Sequence, residues 1–459
     1  MPASSRHAEF IRFRTEFPFF CFEKQEFVLD TKGLHVQYHF NISDRFYFAP
    51  TLFFPRKSFF RPDSELIQGL GEALFYLGMV ELISYWKLTC SPLIVIRPYS
   101  LETVQVEWYK KLWFNGLGEF FHVNGIATDR VGFAVVQASE GRLLQPTGIK
   151  IGDGILIPVG GGKDSAVTLE LLGRHEGAIP LIMNPRNASL DTIRTAGFDD
   201  AGYVEIQRTL DPLMLRLNRE GFLNGHTPFS ALLAFVTCVS AILTGANSVA
   251  LSNESSANEP TIAGTGINHQ YSKSFEFERD FREFTRSWIS SDFNYFSFLR
   301  PLNELQIASL FSRYTRYHRV FRSCNAGSKT DSWCGKCAKC LFTFIMLSPF
   351  LGTGKVSALF GRNLFTDEDL GEYFDQLTGQ DAEKPFDCVG TIREVNIALC
   401  ETIRLEGKAT LPNLLERYRN SETFGRYSGI SSDVFMQEFH DDHFVPDQWL
   451  ALLRKEMSC

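Results

Sequence analysis

The stretch that most constrains this chain is "ILIPVGGGKDSAVTLELL", residues 155–172. An apolar run stops at three consecutive glycines, and a helical pattern begins directly after them. A strand, a glycine turn and a helix in that order open a parallel α/β unit. The rhythm then continues. "AIPLIMN" (178–184) reads as a second strand, "ASLDTIRTAG" (188–197) as a second helix and "YVEIQ" (203–207) as a third strand. The helix "TPFSALLAFVTCVSAIL" follows, with Thr227 as N-cap and Pro228 in its first turn, and "SVALSN" (248–253) is a fourth strand. Residues 151–350 therefore read as a doubly wound parallel sheet with helices on both faces. Such sheets bind ligands beyond the carboxyl ends of their strands, where the glycine turn lies.

The flanks differ in rhythm. Residues 1–150 read as an α+β domain with a packing or substrate-specificity role: "GLHVQYHF" (33–40) alternates as a half-buried strand and "LIVIR" (93–97) is a short buried one. The segment 64–87 has a long helical pattern, and 101–121 reads as a helix interrupted at Gly116 and Gly118. Residues 351–459 carry mainly helical patterns, at 367–377, 391–407 and 446–457, and read as a helical closing domain. A chain of 459 residues exceeds a single core, which agrees with several domains. The formal charge of −7 argues against a nucleic-acid partner and favours a small-molecule substrate. The start of the chain lacks the apolar core of a secretory peptide, and "ALLAFVTCVSAIL" (231–243) is too short to span a bilayer. The expectation is a cytoplasmic protein with reduced cysteines and no membrane association.

A glycine turn between strand and helix aims backbone N–H groups and the positive end of the helix dipole at an anion, typically phosphate. The spacing excludes a Walker loop, because Asp164 follows Lys163 and Ile157 stands where the first glycine is needed. It also excludes the dinucleotide fingerprint, because Ser165 replaces its last glycine. The loop resembles the PP-loop of the ATP pyrophosphatases, S-G-G-x-D-S/T, with Gly161, Gly162, Asp164 and Ser165 in place and Gly160 where the serine belongs. That resemblance implies a HUP-like fold for the central domain and cleavage of ATP between its α and β phosphates. Gly160, Gly161, Gly162, Lys163, Asp164 and Ser165 would then hold ATP, with Lys163 and Mg²⁺ offsetting charge on the leaving pyrophosphate.

After the fourth strand, residues 252–278 crowd Asn253, Glu254, Asn258, Glu259, His269, Lys273 and Glu276 together. At the open end of a parallel sheet these can supply metal-binding carboxylates and a proton-transfer group; singly, each also suits a solvated loop. Farther on, "CNAGSKTDSWCGKCAKC" sets Cys324, Cys334, Cys337 and Cys340 in one short segment. Four thiolates at this spacing suit a structural Zn²⁺; an iron–sulfur cluster, a catalytic thiol at Cys334 and plain reduced thiols are the other readings.

Taken in order, "GLGEFFHVNGI", "PVGGGKDSAVTLELL", "NGHTPFSALLA", "LSNESSANEP", "NHQYSKS" and "SWCGKCAKCLF" resemble one family, the UDP-N-acetylmuramoyl-L-alanyl-L-glutamate epimerases (MurL) of bacterial cell-wall synthesis. The resemblance runs from about residue 10 to about residue 400. It implies ATP-dependent inversion of the terminal L-glutamate of a UDP-MurNAc-dipeptide through carboxylate adenylation. Under that resemblance His269 and Lys273 are the candidate base and acid, and Glu254 or Glu259 are metal-binding or orienting groups. The rival readings are a PP-loop enzyme that adenylates a nucleobase or tRNA, and a non-catalytic nucleotide-binding protein.

Overall fold

In the strand Gly33–Ile42, Leu34, Val36, Tyr38 and Phe40 are buried, as its alternation requires. The strand belongs to one of two compact units that the computed structural model resolves. The structure describes residues 5–61, 63–139, 144, 152–262, 267–324, 326–327, 330–381, 383–407 and 410–458. The expected domain boundary at 150 lies outside the described residues. The first unit comprises the described parts of Met1–Leu156, Val204–Ser248 and Gly266–Asn294. The second comprises those of Ile157–Tyr203, Val249–Thr265 and Tyr295–Cys459. Each unit is thus assembled from separated stretches of chain.

In the first unit, Phe19–Leu29 pairs antiparallel with Gly33–Ile42 and parallel with Leu93–Ile96, which pairs in turn with Val135–Ala138. On its other side, Gly33–Ile42 pairs antiparallel with Thr51–Pro55. "YVEIQ" forms the strand Val204–Thr209, as its pattern predicts; what the sequence did not reveal is its antiparallel pairing with Thr51–Pro55, with Leu52 opposite Arg208. The Arg208 guanidinium forms a two-pronged pair with the buried Glu81, at 2.8 and 2.9 Å, and so ties the strand to helix Asp63–Glu81. One correction concerns the apolar helix, which spans Phe229–Thr244 with Pro228 as its cap residue. At ψ 74° Pro228 stands outside the helix, and Thr227 supplies its carbonyl, not its side chain, to the Phe229 amide. The core is aromatic: Trp108, Phe235 and Phe284 meet at centroid distances of 4.4–5.9 Å. Truncating Phe235 to alanine should cost about 3–5 kcal/mol.

Around the glycine turn the strands run in the order Asn294–Ser297, Ser248–Leu251, Ile155–Pro158, Ala178–Met183. The Asn294 and Phe298 amides donate to the Asn247 and Leu251 carbonyls, an equal step in the same sense on both strands, which is parallel pairing. Helix Lys163–Leu172 packs on helix Glu304–Arg313, which packs on Ala338–Leu351, itself against Ile392–Glu406. The helical C-terminal region is therefore one packed body with the glycine turn's own helix. Among the described residues no helix is long and apolar enough to cross a membrane.

Candidate active site

The glycine turn is held shut by its own serine and by the cysteine segment. The Gly161 amide donates to Ser165 Oγ at 3.1 Å, and that hydroxyl donates to the Gly162 carbonyl at 3.0 Å. The Arg322 amide donates to the Gly161 carbonyl at 2.7 Å. Gly161 sits at φ +82°, and a Cβ there would lie 2.8 Å from the Ser189 backbone nitrogen, so glycine is required twice over. Gly162 is the extended cap residue of helix Lys163–Leu172, whose first-turn amides have no partner within the helix. Gly160 differs from both. It is exposed, and a Cβ added there meets nothing within 4 Å. The departure from the PP-loop pattern removes a hydroxyl for which there is room.

Lys163 is almost fully enclosed, at 2% exposure. Its ammonium is engaged by Asp164 and by Glu304, with Glu304 equally enclosed and Asp164 more open, at 4% and 31% side-chain exposure. Burial alone would lower the Lys163 pKa, but the two carboxylates reverse that and raise it. Glu304 is pushed up by burial, opposed by Lys163 and reinforced by Asp164, Glu254 and Glu394. The lysine stays charged, and its ammonium works against burial on the Glu304 carboxyl.

Sequence reasoning missed Glu304 and Glu394, and the signals for them were helix caps. Asn303 and Gln306 form a reciprocal capping box at the start of Glu304–Arg313, and Thr391 and Glu394 form another at Ile392–Glu406. Glu394 Oε2 accepts from the Thr391 amide at 2.5 Å, while its Oε1 accepts from the Glu304 amide at 2.8 Å. One helix start is wired to the next, and the C-terminal region reaches the loop's lysine through Glu304. Glu254 is also buried here. Its carboxylate accepts from Ser256 Oγ at 3.1 Å and its carbonyl from the buried Arg300 at 2.6 Å. Glu259 stands apart, paired with Lys384.

The four cysteines converge. Cys324 and Cys337 sulfurs are 3.9 Å apart and those of Cys334 and Cys340 are 3.7 Å apart. Thiolates at the corners of a tetrahedron around zinc, each about 2.3 Å from the ion, stand about 3.8 Å apart. Backbone amides of Gly327 and Cys334 donate to Cys324 Sγ, and that of Lys336 donates to Cys334 Sγ. Such donors orient and stabilise thiolate ligands. Contacts from the neighbouring Cys340 hold the Cys337 thiol down at about 5. Arg322 and Ser323, which border Gly161 and Gly162, immediately precede Cys324, so the cysteine knot braces the glycine turn.

The polar stretch 252–278 is divided between the two units. Glu254 and Glu259 belong to the second unit, His269 and Lys273 to the first. In the first unit His269 Nδ1 hydrogen-bonds Glu119 Oε2, and His226 Nδ1 lies 3.4 Å from the same oxygen. The two imidazole centroids are 4.5 Å apart. Burial, then the neighbouring His269, lowers the His226 pKa to about 4, and Lys273 contributes in the same direction. Glu119 and His226 were not singled out in the sequence, although both lie inside the quoted stretches "GLGEFFHVNGI" and "NGHTPFSALLA". Glu119, His226 and His269 also form a donor set for a metal, with one ligand atom from each all within 4.8 Å of one another.

Domain-family comparison agrees with the order of these motifs. The MurL N-terminal domain model matches residues 12–298, and the MurL C-terminal domain model matches residues 320–423. The chain is similar to the UDP-N-acetyl-alpha-D-muramoyl-L-alanyl-L-glutamate epimerase of Xanthomonas oryzae pv. oryzae, with 35% identity over 72% of this chain and 74% of that protein. It is similarly 35% identical to the Salinispora tropica protein of the same name, over 74% of each chain. The Micromonospora protein of that name is 33% identical over 74% of this chain and 76% of its own. No solved structure matches the chain.

Proposed function

The chain belongs to the MurL family, and on that premise we propose that it inverts the terminal L-glutamate of UDP-MurNAc-L-Ala-L-Glu to D-glutamate, activating the substrate by adenylation with ATP. The observation that carries the epimerase reading is the match to both domain models and to three relatives bearing that name. The adenylation step rests on the glycine turn at the end of Ile155–Pro158.

The chemistry explains why an epimerase would need such a turn. The substrate's glutamate nitrogen is already an amide, which closes the Schiff-base route. The α-proton beside a free carboxylate is very weakly acidic, because its removal piles a second charge onto that group. A carboxylate oxygen attacks the α-phosphorus of ATP, pyrophosphate leaves, and the resulting acyl-adenylate can spread a carbanion as an enolate. His269 takes the α-proton, a proton returns on the opposite face, and water releases AMP. Lys273, which carries positive charge beside this cluster, is the candidate partner in that exchange.

The chain's own groups divide the work. Gly160 to Ser165 cradle the phosphates through backbone amides and the helix terminus. A triphosphate gives the Lys163 ammonium a competing anion. Asp164, the more exposed of its two partners, would be the residue to hold Mg²⁺, while Glu304 keeps the lysine in place. Mg²⁺ supplies charge neutralisation on the leaving pyrophosphate. Glu254 orders the buried end of this cluster through Ser256, and Glu259, bound to Lys384, has a structural role. Cys324, Cys334, Cys337 and Cys340 hold a structural Zn²⁺. Metal analysis of the purified chain should find one zinc, lost in Cys334→Ser; a brown iron-containing protein would refute that assignment. The reaction itself is tested by incubating the protein with ATP, Mg²⁺ and UDP-MurNAc-L-Ala-L-Glu. Stoichiometric AMP and the D-glutamate epimer are expected, whereas RNA-dependent pyrophosphate release would favour a nucleic-acid-modifying enzyme.

A further inference from the structure

Three stretches far apart in the sequence end in one small cluster of the first unit. Glu119 lies in the first turn of helix Gly118–Val123, His226 precedes helix Phe229–Thr244, and His269 precedes the short turn Tyr271–Lys273. The loop bearing His226 is clamped. The Asn124 side chain donates to the Asn224 carbonyl at 3.1 Å, and the buried Lys87 ammonium donates to the Gly225 carbonyl at 2.5 Å. Gly225 passes so close to Phe120 that a Cβ would lie 3.0 Å from its ring. This much rigidity brings both Nδ1 atoms to a single carboxylate oxygen.

We infer that Glu119 is a positioning residue: it fixes His269 with the proton on Nδ1 and the basic lone pair on Nε2, and it gathers His226 onto the same side. An ionised carboxylate only accepts, so the ring nitrogen facing it must be the donor. A histidine held this way is the oriented general base familiar from hydrolytic triads. The cluster is enclosed yet reachable, with side chains 14–24% exposed.

Two features narrow the role further. The two ring centroids lie 4.5 Å apart and both Nδ1 atoms face the same Glu119 oxygen, so one carboxylate orients both rings. The proton returned to the opposite face is assigned to a different group, Lys273 in the epimerase reading. Two histidines and a carboxylate also suit Zn²⁺, but Lys87 and Lys273 both act on His226 as positive charges. Positive charge acting on the ring disfavours a divalent cation there.

The inference takes its substrate from the epimerase reading, but its test does not depend on turnover. Histidine-selective ¹⁵N NMR of the full chain should show His269 as the Nδ1–H tautomer, and Glu119→Gln should move it toward Nε2–H. With ATP, Mg²⁺ and the dipeptide substrate in D₂O, Glu119→Gln should lose α-deuterium incorporation by about 10²–10⁴-fold while AMP formation stays within about three-fold. Glu119→Asp should recover part of the loss. An unchanged tautomer in Glu119→Gln, or exchange within about three-fold of wild type, overturns the inference. So does a bound metal that is lost from Glu119→Gln and His226→Ala but retained in Cys334→Ser. If wild type forms no AMP with this substrate, the function reading fails, and the tautomer still decides the role of Glu119.

Discussion

One candidate cluster is a lysine held by two carboxylates and the other a carboxylate shared by two imidazoles, and they differ in what they can do. In the second unit Glu304 and Lys163 are almost sealed, at 3% and 2% exposure, and each offsets the other's buried charge by direct contact. In the first unit Glu119 serves two imidazoles that keep some access to solvent. A sealed ion pair maintains a fixed electrostatic field, because separating it would strand a charge in a low dielectric. An imidazole pair on a partly open carboxylate can gain and lose a proton at modest cost. The contrast fits a chain that holds a nucleotide with one cluster and moves a proton with the other.

The strongest way to break this comparison is to unlock the sealed pair. Glu304→Gln leaves Lys163 with Asp164 alone and should destabilise the fold by about 3 kcal/mol, measured as a fall in the urea midpoint at constant slope. A change within error would mean that the lysine is not held by Glu304. Nearly as large is the pH effect expected from the open cluster. An unfolded histidine titrates near pH 6.5, whereas burial and His269 hold folded His226 near about 4. Between these values the unfolded chain binds the extra proton, so stability is full above about pH 6.5 and falls as pH drops toward about 4, by at most about 3 kcal/mol. His226→Gln should flatten that acid limb; an unaltered slope would place the titration elsewhere. The smallest effects separate the loop glycines. Gly161→Ala forces a Cβ against the Ser189 backbone at positive φ and should cost about 1–3 kcal/mol. Gly160→Ser enters open space and should change stability by less than about 0.5 kcal/mol.

The sequence made the locally encoded features legible. The turn at Gly160–Gly162, the helix after it and the cysteine cluster depend on residues close together in the chain, so period, glycine placement and spacing reveal them. Strand partners do not follow that logic. Val204–Thr209 alternates in the same way whether its neighbour is parallel or antiparallel, and its pairing to Thr51–Pro55 is decided by residues far away, including Glu81. The stretch 252–278 looked like one polar loop because nothing local marks its division between units. Glu304 and Glu394 passed as ordinary first-turn residues of helices, which they are; their site role depends on a meeting that only tertiary packing creates. The same holds for Glu119 and His226, each unremarkable until the fold sets them beside His269.

Division of labour between the clusters is tested most directly by following AMP and α-deuterium together in D₂O, in wild type, Asp164→Asn and His269→Gln. The account predicts that Asp164→Asn slows both in parallel, because no adenylate forms to be exchanged. His269→Gln should keep AMP formation and lose deuterium incorporation by about 10²-fold or more. Deuterium exchange at the wild-type rate in His269→Gln, or its persistence in Asp164→Asn after AMP formation has collapsed, would contradict it.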